Sequence, residues 1–185
     1  MYRLITFCFV VLTIFQFCSV NSKLNSQKDN NKIRTGQLND STFLAVKKYL
    51  TRGTAAILKD TIIIKYDYNY ESCWDILDQS EADHIMGFVK RHQERVKRFL
   101  LTRQNVSFFA YREPGNSLNK IKKWDNTILI DSSKRLFRLV FNERQNCGNS
   151  ILLLPDKRFI YLRSDSHTEI LDLTQEQIDQ YLTKN

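Results

Sequence analysis

The stretch TIIIKYDYNYESCWDIL (Thr61–Leu77) decides the fold prediction for this chain. Its first four residues form a β-branched run that is too continuous for a half-exposed strand and is typical of a buried central strand. The tyrosines, aspartate and asparagine of Tyr66–Tyr70 predict a loop that carries the chain out of the sheet. Ser72 can cap a helix that begins near Cys73. The stretch therefore predicts a buried strand, a loop and a cysteine at a helix start.

Cys73 has two interpretations at this stage. The positive end of a helix dipole favours a thiolate and lowers the pKa of a thiol, so a cysteine at a helix start is typical of redox sites. A cysteine beside Trp74 is, alternatively, a small buried hydrophobic side chain with no chemical role. The residues of this stretch leave both interpretations open.

The composition is that of one globular domain with mixed secondary structure. The chain has 185 residues, of which 42% are hydrophobic and 26% are charged. Only five glycines and two prolines argue against a turn-rich all-β design, and alternating strand-like and helix-like segments favour an α/β fold with a central mixed sheet flanked by helices. The net charge of +8 is a modest excess that identifies no partner.

Two classes of function find no support in the sequence. No basic stripe with interleaved aromatic residues is present, so we expect no nucleic-acid partner. His84 and His92 are eight residues apart and do not form a metal-binding pair on adjacent helical turns. We expect neither a metal ion nor a cofactor, and the sequence indicates no oligomeric state.

The N-terminal residues 1–22 differ from the remainder of the chain. Arg3 precedes a long apolar stretch, and the residues before Lys23 are compatible with cleavage after Ser22, so we predict an export signal. A lipoprotein signal acylated on Cys18, which would give membrane association, and an uncleaved membrane anchor are the alternatives. Residues 23–57 are expected to form a polar leader and a short helix, and residues 58–185 the domain, which works in the periplasm or cell envelope or is secreted.

Later segments complete the predicted order of elements. Helices are expected over 80–101, 116–124 and 174–182, the last with a capping box of Thr174 and Gln177. Strands are expected over 105–111 and 127–131, the segment 136–141 is a short amphipathic piece, and 151–154 with 159–162 form a hairpin. Helical connections between the first three strands imply parallel pairing.

Two cysteines remain after the predicted signal. Cys73 and Cys147 are expected to pair in an oxidising compartment if the geometry permits, and two unpaired thiols are the alternative.

Three segments carry a resemblance to a known family: Ile62–Cys73, Ile128–Phe141 (ILIDSSKRLFRLVF) and Asn149–Leu162 (NSILLLPDKRFIYL). With the order of elements, they resemble the thioredoxin fold, particularly the exported bacterial thioredoxin-like proteins of the TlpA and peroxiredoxin-related group. The chain departs from that family in two ways. Cys73 stands outside any Cys-x-x-Cys motif, and Cys147-Gly148-Asn149-Ser150 occupies the place of the family's cis-proline before the hairpin.

The resemblance also implies a site. It places the loop before the hairpin against the start of the active-site helix, which would bring Cys73 and Cys147 within disulfide range, with Cα atoms about 4.4–6.8 Å apart. Cys73 would then be a nucleophile and Cys147 a resolving thiol in thiol–disulfide exchange with a thiol-containing protein partner. The expected substrate contacts are Tyr70, Trp74 and Ser150. The alternative is a redox-inactive binding module of the cell envelope with the same fold.

Overall fold

The computed structural model describes residues 32–52, 57–71, 73, 77, 79–115 and 125–183. The predicted export signal, the first part of the predicted leader and the helix predicted over 116–124 lie outside these ranges. The elements are β1 (Ile33–Gln37), α1 (Asp40–Arg52), β2 (Thr61–Asp67), α2 (Ala82–Thr102), β3 (Val106–Arg112), β4 (Leu129–Ile130), α3 (Arg135–Val140), β5 (Asn149–Leu153), β6 (Arg158–Leu162), a 3₁₀-helix (Glu169–Asp172) and α4 (Gln175–Thr183).

The described strands form one mixed sheet in the order β1-β6-β5-β2-β3-β4. β2, β3 and β4 are parallel, whereas β5 is antiparallel to both of its neighbours, β2 and β6. The central strands β3-β2-β5-β6 thus combine a strand–helix–strand unit with a hairpin and a following helix, which is the thioredoxin-like arrangement. The predicted α/β fold, with a mixed sheet flanked by helices, is confirmed.

β2 lies at the centre because both of its faces are apolar. Ile62 and Ile64 belong to the core cluster under α1 and α3, and Ile63 belongs to the cluster on the opposite face, which includes α4 residues. The three side chains are at most 1% exposed. The prediction of a buried central strand at Thr61–Ile64 is therefore confirmed.

The predicted loop at Tyr66–Tyr70 begins later than expected. Lys65, Tyr66 and Asp67 continue β2 and pair with β3. Tyr66 is fully buried, and its ring stacks on Phe141 with a centroid distance of 4.9 Å. Burial of aromatic area against α3 and the residue after it extends the strand through residues whose polar neighbours had suggested a loop.

The predicted polar leader contains a strand. Ile33–Gln37 forms β1, which pairs antiparallel with β6 from Ile33 opposite Leu162 to Gln37 opposite Arg158. Backbone pairing with the hairpin edge stabilises this segment, because its side chains are mostly polar and only Ile33 packs against a core cluster. The polar composition of this segment predicts a leader without a strand, whereas the structure has a paired strand here.

The remaining elements differ from the predictions mainly in length. α1 is the short helix predicted within residues 23–57, the hairpin lies where it was predicted, and the predicted strand over 127–131 is reduced to the two residues of β4. α2 begins at Ala82, two residues after the predicted start, with Glu81 as its N-cap and no side chain that caps it. The amphipathic piece at 136–141 is helix α3, whose N–H groups at Arg135 and Phe137 donate to the buried Asp131 carboxylate, each at 2.9 Å.

Candidate functional site: a disulfide between two loops at one end of the sheet

The two cysteines lie at the same end of the sheet because their strands are neighbours. Cys73 follows the end of β2, and Cys147 precedes the start of β5, with Tyr66 paired opposite Asn149 at this end of the ladder. The two residues form a disulfide, and their Cα atoms are 5.2 Å apart. This separation lies within the usual range for a disulfide. The prediction that Cys73 and Cys147 pair is confirmed.

The two halves of the disulfide differ in exposure. Cys73 is exposed, Cys147 is half-buried, and Gly148 next to it is buried. The helix predicted to begin at Cys73 falls mostly on residues that the structure does not describe, since Ser72 and 74–76 lie outside the described ranges. An attacking thiolate therefore has easier access to the Cys73 side of the bond.

The predicted substrate contacts lie in different environments. Tyr70 is 81% exposed in the turn before Cys73, and its backbone has a positive φ of 63°. Ser150 is fully buried in β5, opposite Lys65 of β2, so a bound partner has no access to its side chain in this structure. Trp74 lies outside the described residues. The roles of these three side chains stay predictions.

A buried polar network centred on Asn149 supports the Cys147 loop. The Asn149 Nδ2 lies 2.6 Å from the Tyr68 hydroxyl oxygen, 2.7 Å from the Tyr161 hydroxyl oxygen and 2.9 Å from the Glu143 carbonyl oxygen. The Asn149 Oδ1 accepts a hydrogen bond from the Ser164 N–H at 2.9 Å. Loops on both sides of the hairpin are thereby joined to the strand that begins two residues after Cys147.

The tyrosines of this network stay protonated at neutral pH. Burial is the largest cause that raises the pKa of Tyr68 far above its ordinary value of 10, and it raises the pKa of Tyr161 to about 12. Each hydroxyl therefore keeps its proton for hydrogen bonding. The network works as a fixed support and holds no group that titrates near neutral pH.

An ion-pair cluster anchors the same loop from the other side. The buried Glu113 carboxylate pairs with Lys134 at 3.0 Å and with Arg144, and it accepts a hydrogen bond from the Asn69 N–H at 3.2 Å. The Arg144 guanidinium also lies over the Tyr68 ring, 5.5 Å from its centroid. Glu113 thus joins the turn before Cys73 to the loop before Cys147.

The favourable contacts of Glu113 outweigh the cost of its burial. Burial is the largest single influence and raises the pKa of Glu113, but hydrogen bonds from Lys134, Arg144 and the Asn69 N–H together hold it below its ordinary value of 4.5. The carboxylate is therefore charged at neutral pH.

A second buried pair lies beneath the residue after Cys147. Lys65 and Asp67, on the α2 side of β2, form an ion pair with a 2.9 Å separation between Nζ and Oδ1. A Cβ atom built on Gly148 would lie 2.5 Å from the Lys65 Nζ and 2.6 Å from the Tyr66 carbonyl oxygen. The pair and the Gly148 backbone are thus in direct contact.

Sequence reasoning missed Lys65, Asp67, Glu113 and Asn149. The alternation of charged Lys65 and Asp67 with aromatic Tyr66 and Tyr68 is a period-two pattern, and that signal indicates a continued strand with one polar face. No local pattern marks Glu113 or Asn149, because their partners come from distant loops. In the described part of the chain, no group of three or more His, Cys, Asp or Glu side chains could hold a metal ion.

Comparisons with known proteins give weak similarities. No protein-family model matches the sequence, and no curated protein matches it. A secreted Mycobacterium tuberculosis disulfide oxidoreductase homologous to E. coli DsbE is similar in structure, with 10% identity, a TM-score of 0.38 and coverage of 62% of this chain and 81% of that chain. MTB DsbF is similar at 12% identity and a TM-score of 0.38, with coverage of 69% and 81%. These values are too low to transfer an activity, so the thioredoxin-like fold rests on the strand order and directions described above.

Proposed function

We propose that this protein is an exported thioredoxin-like protein that exchanges its Cys73–Cys147 disulfide with the thiols of a protein partner. One observation carries the proposal: the disulfide joins an exposed Cys73 to a half-buried Cys147. A disulfide that is open to solvent on one side meets the access requirement of thiol–disulfide exchange.

The reaction balances with a partner that supplies two thiols. A partner thiolate attacks the Cys73 sulfur, a mixed disulfide forms at Cys73, and Cys147 leaves as a thiolate that takes up a proton. The second partner thiol then loses its proton and attacks the partner sulfur of the mixed disulfide, which releases Cys73. The partner gains a disulfide, and this protein ends with two reduced cysteines. In the reverse direction Cys73 is the nucleophile and Cys147 is the resolving thiol.

Aromatic residues near Cys73 in the sequence are the proposed contacts for the partner. Tyr70 presents a large exposed aromatic surface three residues before the cysteine, and Trp74 follows it directly. Aromatic residues of this kind are common in the energetically important centre of protein interfaces. Ser150 is left out of this surface because it is buried.

The experiment equilibrates the folded protein with glutathione redox buffers and counts free thiols by alkylation and intact mass. We expect reversible reduction of the Cys73–Cys147 bond while the fold persists. Incubation of Cys147→Ser with a peptide that contains an accessible disulfide should accumulate a mixed disulfide on Cys73, whereas Cys73→Ser should accumulate much less on Cys147. Reduction that occurs only after unfolding, or trapping at neither cysteine, would contradict the proposal.

The competing function is a redox-inactive binding module in which the disulfide only braces two loops. The observation that favours it is the sequence separation of 74 between the cysteines, in place of a Cys-x-x-Cys motif. A protein of this kind would bind its partner equally well with both cysteines replaced by serine. The exchange protein would bind its partner but transfer no disulfide after the same replacement.

Export is a separate part of the proposal and rests on residues 1–22. None of the helices in the described ranges has the length and apolar character needed to cross a membrane. N-terminal sequencing of the protein recovered from outside the cytoplasm should begin at Lys23. A diacylated Cys18 would instead place the protein on a membrane in the cell envelope.

A further inference from the structure

A cavity of about 920 Å³ lies between α2 and the sheet. Its lining includes Phe88 and Val96 from α2 and Phe108 and Ala110 from β3. A volume of this size lies within the range of small-molecule binding sites, which are mostly apolar with a few polar groups. The cavity is distinct from the exposed disulfide, although Lys65 and Asp67 line one part of it.

Within the described ranges, the side chains that face each other leave the space under the helix open. α2 buries only Ile85 and Val89 completely along its 21 residues. On the sheet side, Ala110 contributes one methyl group in the middle of β3. The space is half open to solvent, so its apolar lining stays in contact with water unless a ligand covers it.

The charges around the cavity favour a ligand with a negative charge. Among the lining residues that the structure describes, five are cations, namely Lys65, Arg91, Arg95, Lys97 and Arg112, and two are carboxylates, Asp67 and Asp125. Lys65 pairs with Asp67, and Arg95 pairs with Asp172. Arg91 and Lys97 are exposed on α2, and their side chains form no hydrogen bond or ion pair with any residue within the described ranges. An apolar interior with available cations at its edge complements a molecule with an apolar body and an anionic head.

We propose that this cavity binds a free acyl-chain carboxylate, with the hydrocarbon chain between α2 and β3 and the carboxylate at the edge of the cavity, paired with Arg91 or Lys97. The chain contacts Phe88, Val96 and Phe108, which removes apolar surface from water on both sides. The carboxylate gains charge-assisted contacts that a neutral head group lacks. This binding uses neither sulfur of the disulfide.

The first test titrates dodecanoate, at monomeric concentrations, into the full protein by isothermal titration calorimetry, with dodecanol as the uncharged comparator. We expect saturable binding of one dodecanoate per chain and binding of dodecanol that is about tenfold weaker or more, because the charged contacts are lost. Absence of dodecanoate binding, or equal binding of both probes, would overturn the proposal.

Two variants with the same charge change locate the site. Arg91→Gln with Lys97→Gln removes the cations at the cavity, and we expect dodecanoate binding to weaken about tenfold. Lys90→Gln with Arg98→Gln removes two exposed cations from the same helix that do not line the cavity, and binding should change less than threefold. Equal losses in the two double variants would show that only the general charge of α2 matters and would reject the assigned head-group site.

A cavity-filling variant tests the position of the chain. Ala110→Phe should abolish dodecanoate binding, and an unchanged or raised thermal unfolding midpoint would show that the protein still folds. If Ala110→Phe unfolds the protein, Ala110→Leu gives the same test with a smaller side chain, and undiminished binding in a folded variant contradicts the proposal. Cosedimentation with phosphatidylglycerol vesicles, in a protein that does not bind dodecanoate, would identify α2 as a membrane-docking surface and would also overturn it.

Discussion

Single residues hold the Cys147 loop against the sheet with little room for change. Gly148 has no side chain, and its backbone lies directly on the Lys65–Asp67 pair and the end of β2. Asn149, the next residue, is fully buried and lies within hydrogen-bonding distance of partners from three other segments. The half of the disulfide that is less exposed is therefore also the half that is more firmly supported.

Replacement of Gly148 by alanine should destabilise the protein by about 1–3 kcal/mol through overpacking. The added methyl group would lie 2.6 Å from the Tyr66 carbonyl oxygen, which belongs to the backbone of a central strand and has little freedom to move. Urea unfolding measures the change. The control is Gly87→Ala in α2, where the nearest atom is the flexible Arg91 Nη1 at 3.3 Å and alanine should be neutral or stabilise the helix by up to about 1 kcal/mol. Similar losses of stability in both variants would show that the close contact at Gly148 is not the reason why alanine destabilises the protein there.

Glu113 should make stability depend on pH in the acid range. Its pKa in the folded protein lies below 4.5, so its charged form favours folding; this contribution is complete above about pH 4.5 and is lost as the pH falls through the lower folded pKa. Glu113→Gln should lower the free energy of unfolding at pH 7 and flatten its decrease below about pH 4.5. Glu94→Gln, at an exposed position of α2, is the control, and its profile should follow that of the natural sequence. A Glu113→Gln profile parallel to the natural one would exclude this role.

At the scale of elements, the C-terminal helix α4 shows how a local signal specifies a boundary. The Gln177 N–H donates to the Thr174 side-chain oxygen at 3.2 Å, and the Thr174 N–H donates to the Gln177 side-chain oxygen at 2.9 Å. This reciprocal pair is the capping box predicted from the sequence. Ile178 then buries the helix against the cluster that contains Ile63.

Removal of this cap by Thr174→Ala should cost about 1 kcal/mol. The loss should be concentrated in α4, so amide hydrogen exchange should quicken at the start of this helix more than in β2. Thr183→Ala, which removes a hydroxyl from the other end of α4, should change stability by less than half as much. Faster exchange spread evenly over the whole sheet would mean that α4 and the sheet open as one unit.

Elements with a strong local pattern could be predicted, and elements defined by distant partners could not. The isoleucines of β2 and the apolar runs of the hairpin predicted these strands, because a strand that is buried on both faces has a continuous apolar sequence. β1 was missed because Ile33–Gln37 is polar apart from its first residue and becomes a strand only by pairing with β6. The end of β2 was missed because its continuation depends on the packing of Tyr66 against Phe141.

The candidate site likewise has one feature that the sequence could predict and one that it could not. Disulfide pairing between Cys73 and Cys147 followed from the resemblance and the predicted compartment, and the structure has that bond. The Glu113 cluster could not be predicted, since its cations lie 21 and 31 positions further along the chain. Charged groups this far apart in sequence carry no periodic signal.

At the scale of the whole molecule, the disulfide cross-links the segment after β2 to the segment before β5, and these two strands are neighbours at the centre of the sheet. It joins residues with a sequence separation of 74, and in the chain-entropy model closure of a loop of this size contributes about 4 kcal/mol. The gain arises mainly in the unfolded chain, which loses conformations when the loop is closed.

Replacement of both cysteines by serine should therefore lower the free energy of unfolding by up to about 4 kcal/mol without a change of fold. Denaturant unfolding of the oxidised protein, the reduced protein and the double variant measures the difference, with the folded state checked by circular dichroism. Reduced protein and double variant should agree closely, because both lack the same cross-link. A double variant as stable as the oxidised protein would show that strain in the folded bond cancels the entropic gain.

The pairing of β1 with β6 sets the order in which the sheet can be completed. Ile33 lies opposite Leu162, so the outermost strand at this edge is among the earliest parts of the described chain to be synthesised, and its partner is among the last. Contacts between such distant segments form late, because the entropy cost of closing the loop between them is high until most of the intervening chain is ordered. Until β6 is in place, β1 has no backbone partner in the described sheet, and it is an extended segment to which a chaperone or a second chain can bind.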